Sequence, residues 1–275
     1  MRAVKYLLVL ILGLASGFLL TYLFYFNFIY QGNTLSPVAL LVQPFQNISF
    51  SSQPDQISKV PVLLYHYVRI SPESPEVGTS LEVRPEEFFK QIEYLYTQGY
   101  QTTSLDLLFA KQSGKKIIIT FDDGYKDALE NAYPILEQYG YTATIYPIVG
   151  KIGKEGYVSW DDLVFLEKAG WTIGSHTLNH ANLTSVSSQK AYSELTESKK
   201  QLEKYLHRPV DHFCYPFGGF DFSAQMLVKA AGYKTAVTTV IGKTNSSGEK
   251  FALKRIRISG GYSLERFIKA INTNE

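Results

Sequence analysis

The sequence predicts an α/β fold, a parallel sheet clothed in helices, from three observations. Short apolar runs are bounded by Gly, Pro or polar residues, helical patterns lie between them, and the two alternate across the 216 residues Val60–Glu275. Such an alternation fits an open doubly wound sheet or a closed barrel. Seven strands are expected: VPVLLY (Val60–Tyr65), KIIITF (Lys116–Phe121), ATIYPIV (Ala143–Val149), WTIGS (Trp171–Ser175), VDHFCY (Val210–Tyr215), TAVTTV (Thr235–Val240) and LKRIRI (Leu253–Ile258). The first helix, Arg84–Gln98, combines Pro85 in its first turn, Phe88, Ile92 and Leu95 on one face, and Gly99 at its end. Asp127–Tyr139, Trp160–Ala169, Ser188–Leu206, Ser223–Ala231 and Leu264–Asn272 follow the same rules.

With 275 residues, 45% of them hydrophobic and 19% charged, the chain can bury a sizeable core and is neither disordered nor collagen-like. Cys214 is the single cysteine, which excludes an intramolecular disulfide framework and a cysteine-rich zinc module. Before Val60 the charges are Arg2, Lys5 and Lys59 against Asp55, so the remaining 24 basic residues face 24 acidic ones. A neutral body is a poor partner for nucleic acid, whose binding rests on neutralising phosphates. Neither Gly-x-Gly-x-x-Gly nor a P-loop follows an expected strand, so nucleotide binding has no support.

From Tyr6 to Tyr30 the chain runs 25 residues without a charge, long enough at ~1.5 Å per residue to cross a hydrocarbon core of ~30 Å. Tyr and Phe crowd its C-terminal end and Arg2 and Lys5 precede it, which orients the N-terminus to the cytoplasm. An uncleaved anchor is favoured over a signal peptide, because the run is long and no small-x-small cleavage site stands near Tyr30. The expected layout is a single-pass anchor over residues 1–30, an extracytoplasmic linker over 31–59 rich in Ser, Gln, Asn and Pro, and a folded body over 60–275 outside the cell membrane.

Three strand ends carry chemistry. Thr120-Phe121-Asp122-Asp123-Gly124 places two carboxylates at the end of an apolar strand, though Asp-Gly there is by itself a turn signal. Ser175-His176-Thr177-Leu178-Asn179-His180 spaces two imidazoles four apart, on one face if the segment is helical. One Asp and two His make a three-ligand metal site with positions left open, and leave the second carboxylate free as a base. Cys214-Tyr215-Pro216-Phe217-Gly218-Gly219 is a tight turn that lets backbone approach a ligand.

TFDDG, HTLNH and the Tyr-Pro-Phe-Gly segment together resemble the successive motifs of the polysaccharide deacetylases, the carbohydrate esterase group with the chitooligosaccharide-deacetylase homology domain. The resemblance spans roughly Val60 to Ser259 and implies a distorted (β/α) barrel that removes acetyl groups from glycans with a divalent metal. It implies Asp123, His176 and His180 as metal ligands, Asp122 as general base, and the backbone amide of Phe217 as oxyanion donor. The metal is expected to be Zn2+, with Co2+, Ni2+ or Fe2+ compatible with the same donors. Two departures stand out. Many members carry an Arg two residues before the third-motif Pro, where this chain has Cys214, and a general-acid His near the C-terminal end, whereas no histidine follows His212.

His66, in Leu63-Leu64-Tyr65-His66-Tyr67, sits at the end of the first expected strand, on the same barrel face as the ligands. That opening and the Tyr-Pro-Phe-Gly motif resemble the subgroup that deacetylates poly-β-1,6-N-acetylglucosamine, a biofilm exopolysaccharide, and the resemblance implies His66 as the general acid. His207 is expected to close a helix, and Tyr67, Tyr125 and Trp160 lie near the motifs without an assigned role. The expectation is a membrane-anchored, outward-facing N-deacetylase of an N-acetylated polysaccharide. Its rivals are a peptidoglycan N-deacetylase, a catalytically silent glycan-binding module and a scaffold with a structural metal.

Overall fold

The computed structural model describes residues 56–70, 81–243 and 245–272. The anchor expected over residues 1–30 and all but the last four residues of the linker lie outside them. Among the described residues no helix is long and apolar enough to cross a membrane.

Seven parallel strands form the body: β1 Val62–Tyr65, β2 Lys115–Asp123, β3 Thr144–Pro147, β4 Thr172–Ile173, β5 His212–Cys214, β6 Thr235–Ile241 and β7 Leu253–Arg257. Their order is β4-β3-β2-β1-β7-β6-β5. The two outer members then meet. Just past β4, Ser175 forms a parallel bridge to Phe213, its amide donating to His212 O at 2.9 Å and its carbonyl accepting from Cys214 N at 2.9 Å. A ring closed through one residue is a nearly closed barrel, which decides against the open doubly wound sheet. The sheet is buried on both faces, which is why its strands read as continuous apolar runs instead of alternating ones.

Helices α1 Pro85–Thr97, α2 Tyr133–Gln138, α3 Trp160–Lys168, α4 Ser188–Leu206, α5 Phe222–Ala230 and α6 Leu264–Asn272 accompany the strands. Pro85 opens α1, and Phe88, Ile92 and Leu95 are the buried face that the periodicity requires. Phe88 meets Tyr65 and Phe121 edge to face, and Phe121 stacks on Trp171 at 5.5 Å. Within the barrel, Val62, Ile118, Tyr146, Cys214, Val237 and Leu253 form an apolar plug with Leu105 and Leu108. Two residues further along β2 and β7, the same inward positions hold Thr120 and Arg255, so the interior turns polar toward the C-terminal strand ends.

Three features depart from the expectation. The helix expected over Asp127–Tyr139 is a π-turn, Ala128–Ala132, followed by α2. Pro134 explains the break, since it has no N–H for residue 130 and its ring crowds that carbonyl in an α-helix. Ile57–Ser58, expected in the linker, pairs antiparallel with Asn245–Ser246, so the fold takes up the linker's end. Tyr100–Thr102 adds a short parallel strand beside the start of β2.

Candidate active site

Everything the motifs contribute converges at the C-terminal ends of β1, β2, β4 and β5, where barrel loops gather. Asp122 and Asp123 end β2, and Ile148 N fixes the Asp123 carbonyl at 3.1 Å. Gly124 turns the chain with φ +80°, and a Cβ there would lie 2.7 Å from Pro147 Cα, so only glycine fits. Among the described residues, five that are not glycine adopt positive φ. Four belong to this site: Asp123 (69°), Thr177 (64°), His180 (61°) and Phe217 (60°). Strained backbone of this kind persists where the surroundings hold it and concentrates at functional sites.

His176 and His180 do not share a helix face. The segment from Ser175 to His180 is a bridge followed by a turn, and the left-handed His180 swings its ring back toward His176. The result is a nearly equilateral donor triangle: His176 Nε2 to His180 Nε2 3.2 Å, His180 Nε2 to Asp123 Oδ1 3.3 Å, and His176 Nε2 to Asp123 Oδ1 3.4 Å. Donors ~2.0–2.1 Å from a tetrahedral ion stand about 3.3–3.4 Å apart, so the triangle has the size of one tetrahedral face. Asp123 Oδ1 is buried without a hydrogen-bond partner among the described residues. His176 Nδ1 donates to Cys214 O at 2.7 Å, a tautomer that turns the Nε2 lone pair into the triangle. Burial opposes a charge on His176, yet Cys214 and Asp123 raise its pKa well above the ordinary value; burial and the His176 imidazole lower that of His180. Two imidazole nitrogens and a carboxylate oxygen at these separations are a donor set that a divalent cation fits.

Asp122, the second carboxylate, is itself held in place. Arg255, 1% exposed on β7, clasps it with Nη1 to Oδ1 at 2.8 Å and Nη2 to Oδ2 at 2.7 Å. The same guanidinium donates to Thr120 Oγ1 at 2.9 Å, Thr238 O at 2.8 Å and Cys214 Sγ at 3.3 Å. The Cys214 thiol in turn donates to Asp122 Oδ2 at 3.3 Å. Burial pushes Asp122 toward its neutral form, but the Arg255 charge and hydrogen bonds outweigh it and hold the carboxyl far below the usual range. Asp122, His176 and Cys214 also cluster, but both Asp122 oxygens are committed to Arg255, which leaves the Asp123 triangle as the better candidate for holding a cation. Arg255 supplies from the last strand the guanidinium absent at position 214. Sequence reasoning missed it; a cation inside an apolar strand pattern was the signal, but Lys254, Arg255 and Arg257 share that strand.

His66 lies directly after β1, half-buried, its Nδ1 buried without a partner among the described residues. Burial lowers its pKa against the opposing pull of Asp122 and Asp123. Phe217 heads the turn after β5, its ring exposed and 4.4 Å from that of His180. The remaining residues sort clearly. His212 is buried at the start of β5 with Thr235 Oγ1 at 2.8 Å, and His207 is the left-handed C-cap of α4. Trp160 stacks on Tyr205 at 4.0 Å, while Tyr67 and Tyr125 stack on each other at 3.8 Å beside the site.

Residues 110–236 match the family model for polysaccharide deacetylases. Over 216 residues the chain is 33% identical to the putative polysaccharide deacetylase YxkH of Bacillus subtilis, spanning 76% of this chain and 75% of the relative. The chain belongs to the polysaccharide deacetylase family. It is an N-deacetylating hydrolase. This deacetylase is also 28% identical over 206 residues to the poly-beta-1,6-N-acetyl-D-glucosamine N-deacetylase of Staphylococcus aureus, covering 68% of this chain and 71% of that one. Among solved structures, the Streptococcus pyogenes deacetylase PplD in complex with acetate superposes with a TM-score of 0.72 at 27% identity, over 78% of this chain and 98% of that one. The putative polysaccharide deacetylase BA0330 of Bacillus anthracis gives 0.71 at 32%, over 79% and 70%.

Proposed function

We propose that this deacetylase hydrolyses the N-acetyl groups of poly-β-1,6-linked N-acetylglucosamine at the outer face of the cell membrane, using a divalent metal held by Asp123, His176 and His180. The observation that carries the metal reading is the donor triangle with edges of 3.2, 3.3 and 3.4 Å around an unpartnered carboxylate oxygen. The substrate reading is supported by His66 at the end of β1 and by similarity to the staphylococcal enzyme named for that polymer. The uncharged run Tyr6–Tyr30 supports placement at the membrane.

A bound divalent metal would act as a Lewis acid on the acetyl carbonyl and make water a better nucleophile. Asp122 takes the proton from the attacking water, its carboxylate aimed by the two-pronged grip of Arg255. That grip favours orientation over basicity, since it holds the Asp122 carboxyl well below the usual range. The Phe217 amide, projected by a left-handed residue, receives the developing oxyanion. His66 delivers a proton to the departing sugar amine. The lowered pKa of its imidazole makes its charged form a ready donor.

The test is acetate release by full-length protein in mild detergent from β-1,6-linked N-acetylglucosamine oligomers and, separately, from peptidoglycan. Release from the oligomers, lost in Asp122→Asn, is the expected result. Release from peptidoglycan alone would replace the substrate, and no release from either would refute the reading.

A further inference from the structure

We propose that Glu194 is a positioning residue for the metal centre, acting through Asn179 to aim His180. This rests on the reading of Asp123, His176 and His180 as ligands.

The three ligands are not held alike. Asp123 is fixed by β2, and His176 by its Nδ1 bond to Cys214 O at 2.7 Å. The His180 ring has no second-nitrogen partner among the described residues, and its side chain is 26% exposed against 3% for His176. What aims it is therefore the backbone of its own turn, and that turn is strained at Thr177 (φ 64°) and at His180 itself (φ 61°). A β-branched residue in the left-handed region does not stay there without outside support.

Support comes from two sides. Gly150 N donates to Leu178 O at 2.7 Å and Val149 N to Thr177 O at 3.1 Å, from the loop after β3. From α4, Glu194 reaches in with a carboxylate that is 0% exposed. Its Oε2 accepts from Asn179 N at 2.7 Å and its Oε1 from Asn179 Nδ2 at 2.9 Å, a two-pronged hold on the residue adjoining His180. Lys190, one helical turn earlier and half exposed, neutralises it at 2.8 Å. A carboxylate serving its own helix would need Lys190 alone. Both Glu194 oxygens instead hold the ligand-bearing turn, as the groups behind metal ligands do.

The experiment uses full-length protein in mild detergent, stripped of metal and titrated with Zn2+ against a chromophoric chelator, with Co2+ absorption as a second readout. Glu194→Ala should weaken Zn2+ binding by about 10–100-fold and change the visible Co2+ spectrum. Glu194→Gln, which keeps one acceptor, and Asn179→Ala, which removes one of the two bonds, should each lose less. Lys190→Ala should bind as wild type. If Glu194→Ala does not fold, Asn179→Ala and Glu194→Gln carry the test. Wild-type Zn2+ affinity and Co2+ spectra in folded Glu194 and Asn179 variants would overturn the proposal while leaving the metal site standing. Failure of the wild type itself to bind Zn2+ would instead remove the metal site on which it rests.

Discussion

Replacing Arg255 with methionine leaves the Asp122 carboxylate inside the barrel without its counter-ion. The guanidinium uses every one of its donor directions, on both Asp122 oxygens, Thr120 Oγ1, Thr238 O and Cys214 Sγ, and both partners of the pair are buried. Breaking such a pair by removing one member costs about 3–5 kcal/mol, because an uncompensated charge stays in the interior. For a body of this size, at ~2–4 °C per kcal/mol, the melting midpoint should fall by roughly 6–20 °C. Urea unfolding of metal-stripped full-length protein measures the cost, and the Arg255→Met/Asp122→Asn double variant completes a cycle. The double variant should recover at least about 1 kcal/mol relative to the sum of the single changes. Arg255→Lys should rescue little, since one ammonium cannot reproduce a planar fork toward two carboxylate oxygens. A cost below about 1 kcal/mol for Arg255→Met, or strict additivity in the cycle, would refute the pairing as the device that holds Asp122.

Other outcomes follow from the same geometry. His66→Ala should lower kcat by about 10²–10⁴-fold with metal content and melting midpoint unchanged, and loss of metal along with activity would make His66 structural instead. Gly218→Ala places a Cβ 1.8 Å from Thr239 Oγ1 at φ +71°, so the turn carrying the Phe217 amide must shift. Acetate release should then drop at least tenfold, and an unchanged rate would contradict an oxyanion role for that amide. Asp127 has its pKa pushed up to about 7, by burial acting against the weaker pull of Arg69. The folded state keeps this proton where the unfolded chain, titrating near ~3.9, has lost it. Stability present below that value therefore declines as pH rises from about 4 to about 7, by up to about 1.4 kcal/mol per pH unit. Asp127→Asn should flatten that part of a pH series of unfolding curves, and an unaltered slope would contradict the assignment.

The barrel was legible because its strands are buried on both faces and announce themselves as apolar runs ended by turn residues. KIIITF before Asp-Asp-Gly is such a run, and β2, Lys115–Asp123, extends it by a residue before and two after. Helix limits were legible where caps agree with periodicity, as at α4, Ser188–Leu206, with Ser187 as its N-cap and a left-handed His207 at its end. Closure was not, because it depends on the single bridge between Ser175 and Phe213, residues 38 apart with no local signal linking them. The π-turn at Ala128–Ala132 was hidden because Pro134 reads equally well as a residue in the first turn of a shorter helix.

For the site, residue types and spacing brought one Asp and two His together and the family resemblance picked out Asp123, but the geometry joining His176 to His180 is a left-handed turn and not a helix face. Backbone strain of that kind leaves no mark on a sequence of ordinary L-residues. Arg255 and Glu194 were illegible for a related reason. Each is a charged residue whose partner lies far along the chain, 133 residues for Arg255 with Asp122 and 15 for Glu194 with Asn179. Only the folded chain shows that their charges point inward.

The most direct test of the account is acetate release from β-1,6-linked N-acetylglucosamine oligomers measured against metal occupancy, starting from fully stripped full-length protein. Activity should be absent at the start, rise in proportion to added metal, saturate at one ion per chain, and fail to appear in His180→Ala. Undiminished release from the stripped protein, or from His180→Ala at the wild-type rate, would contradict it.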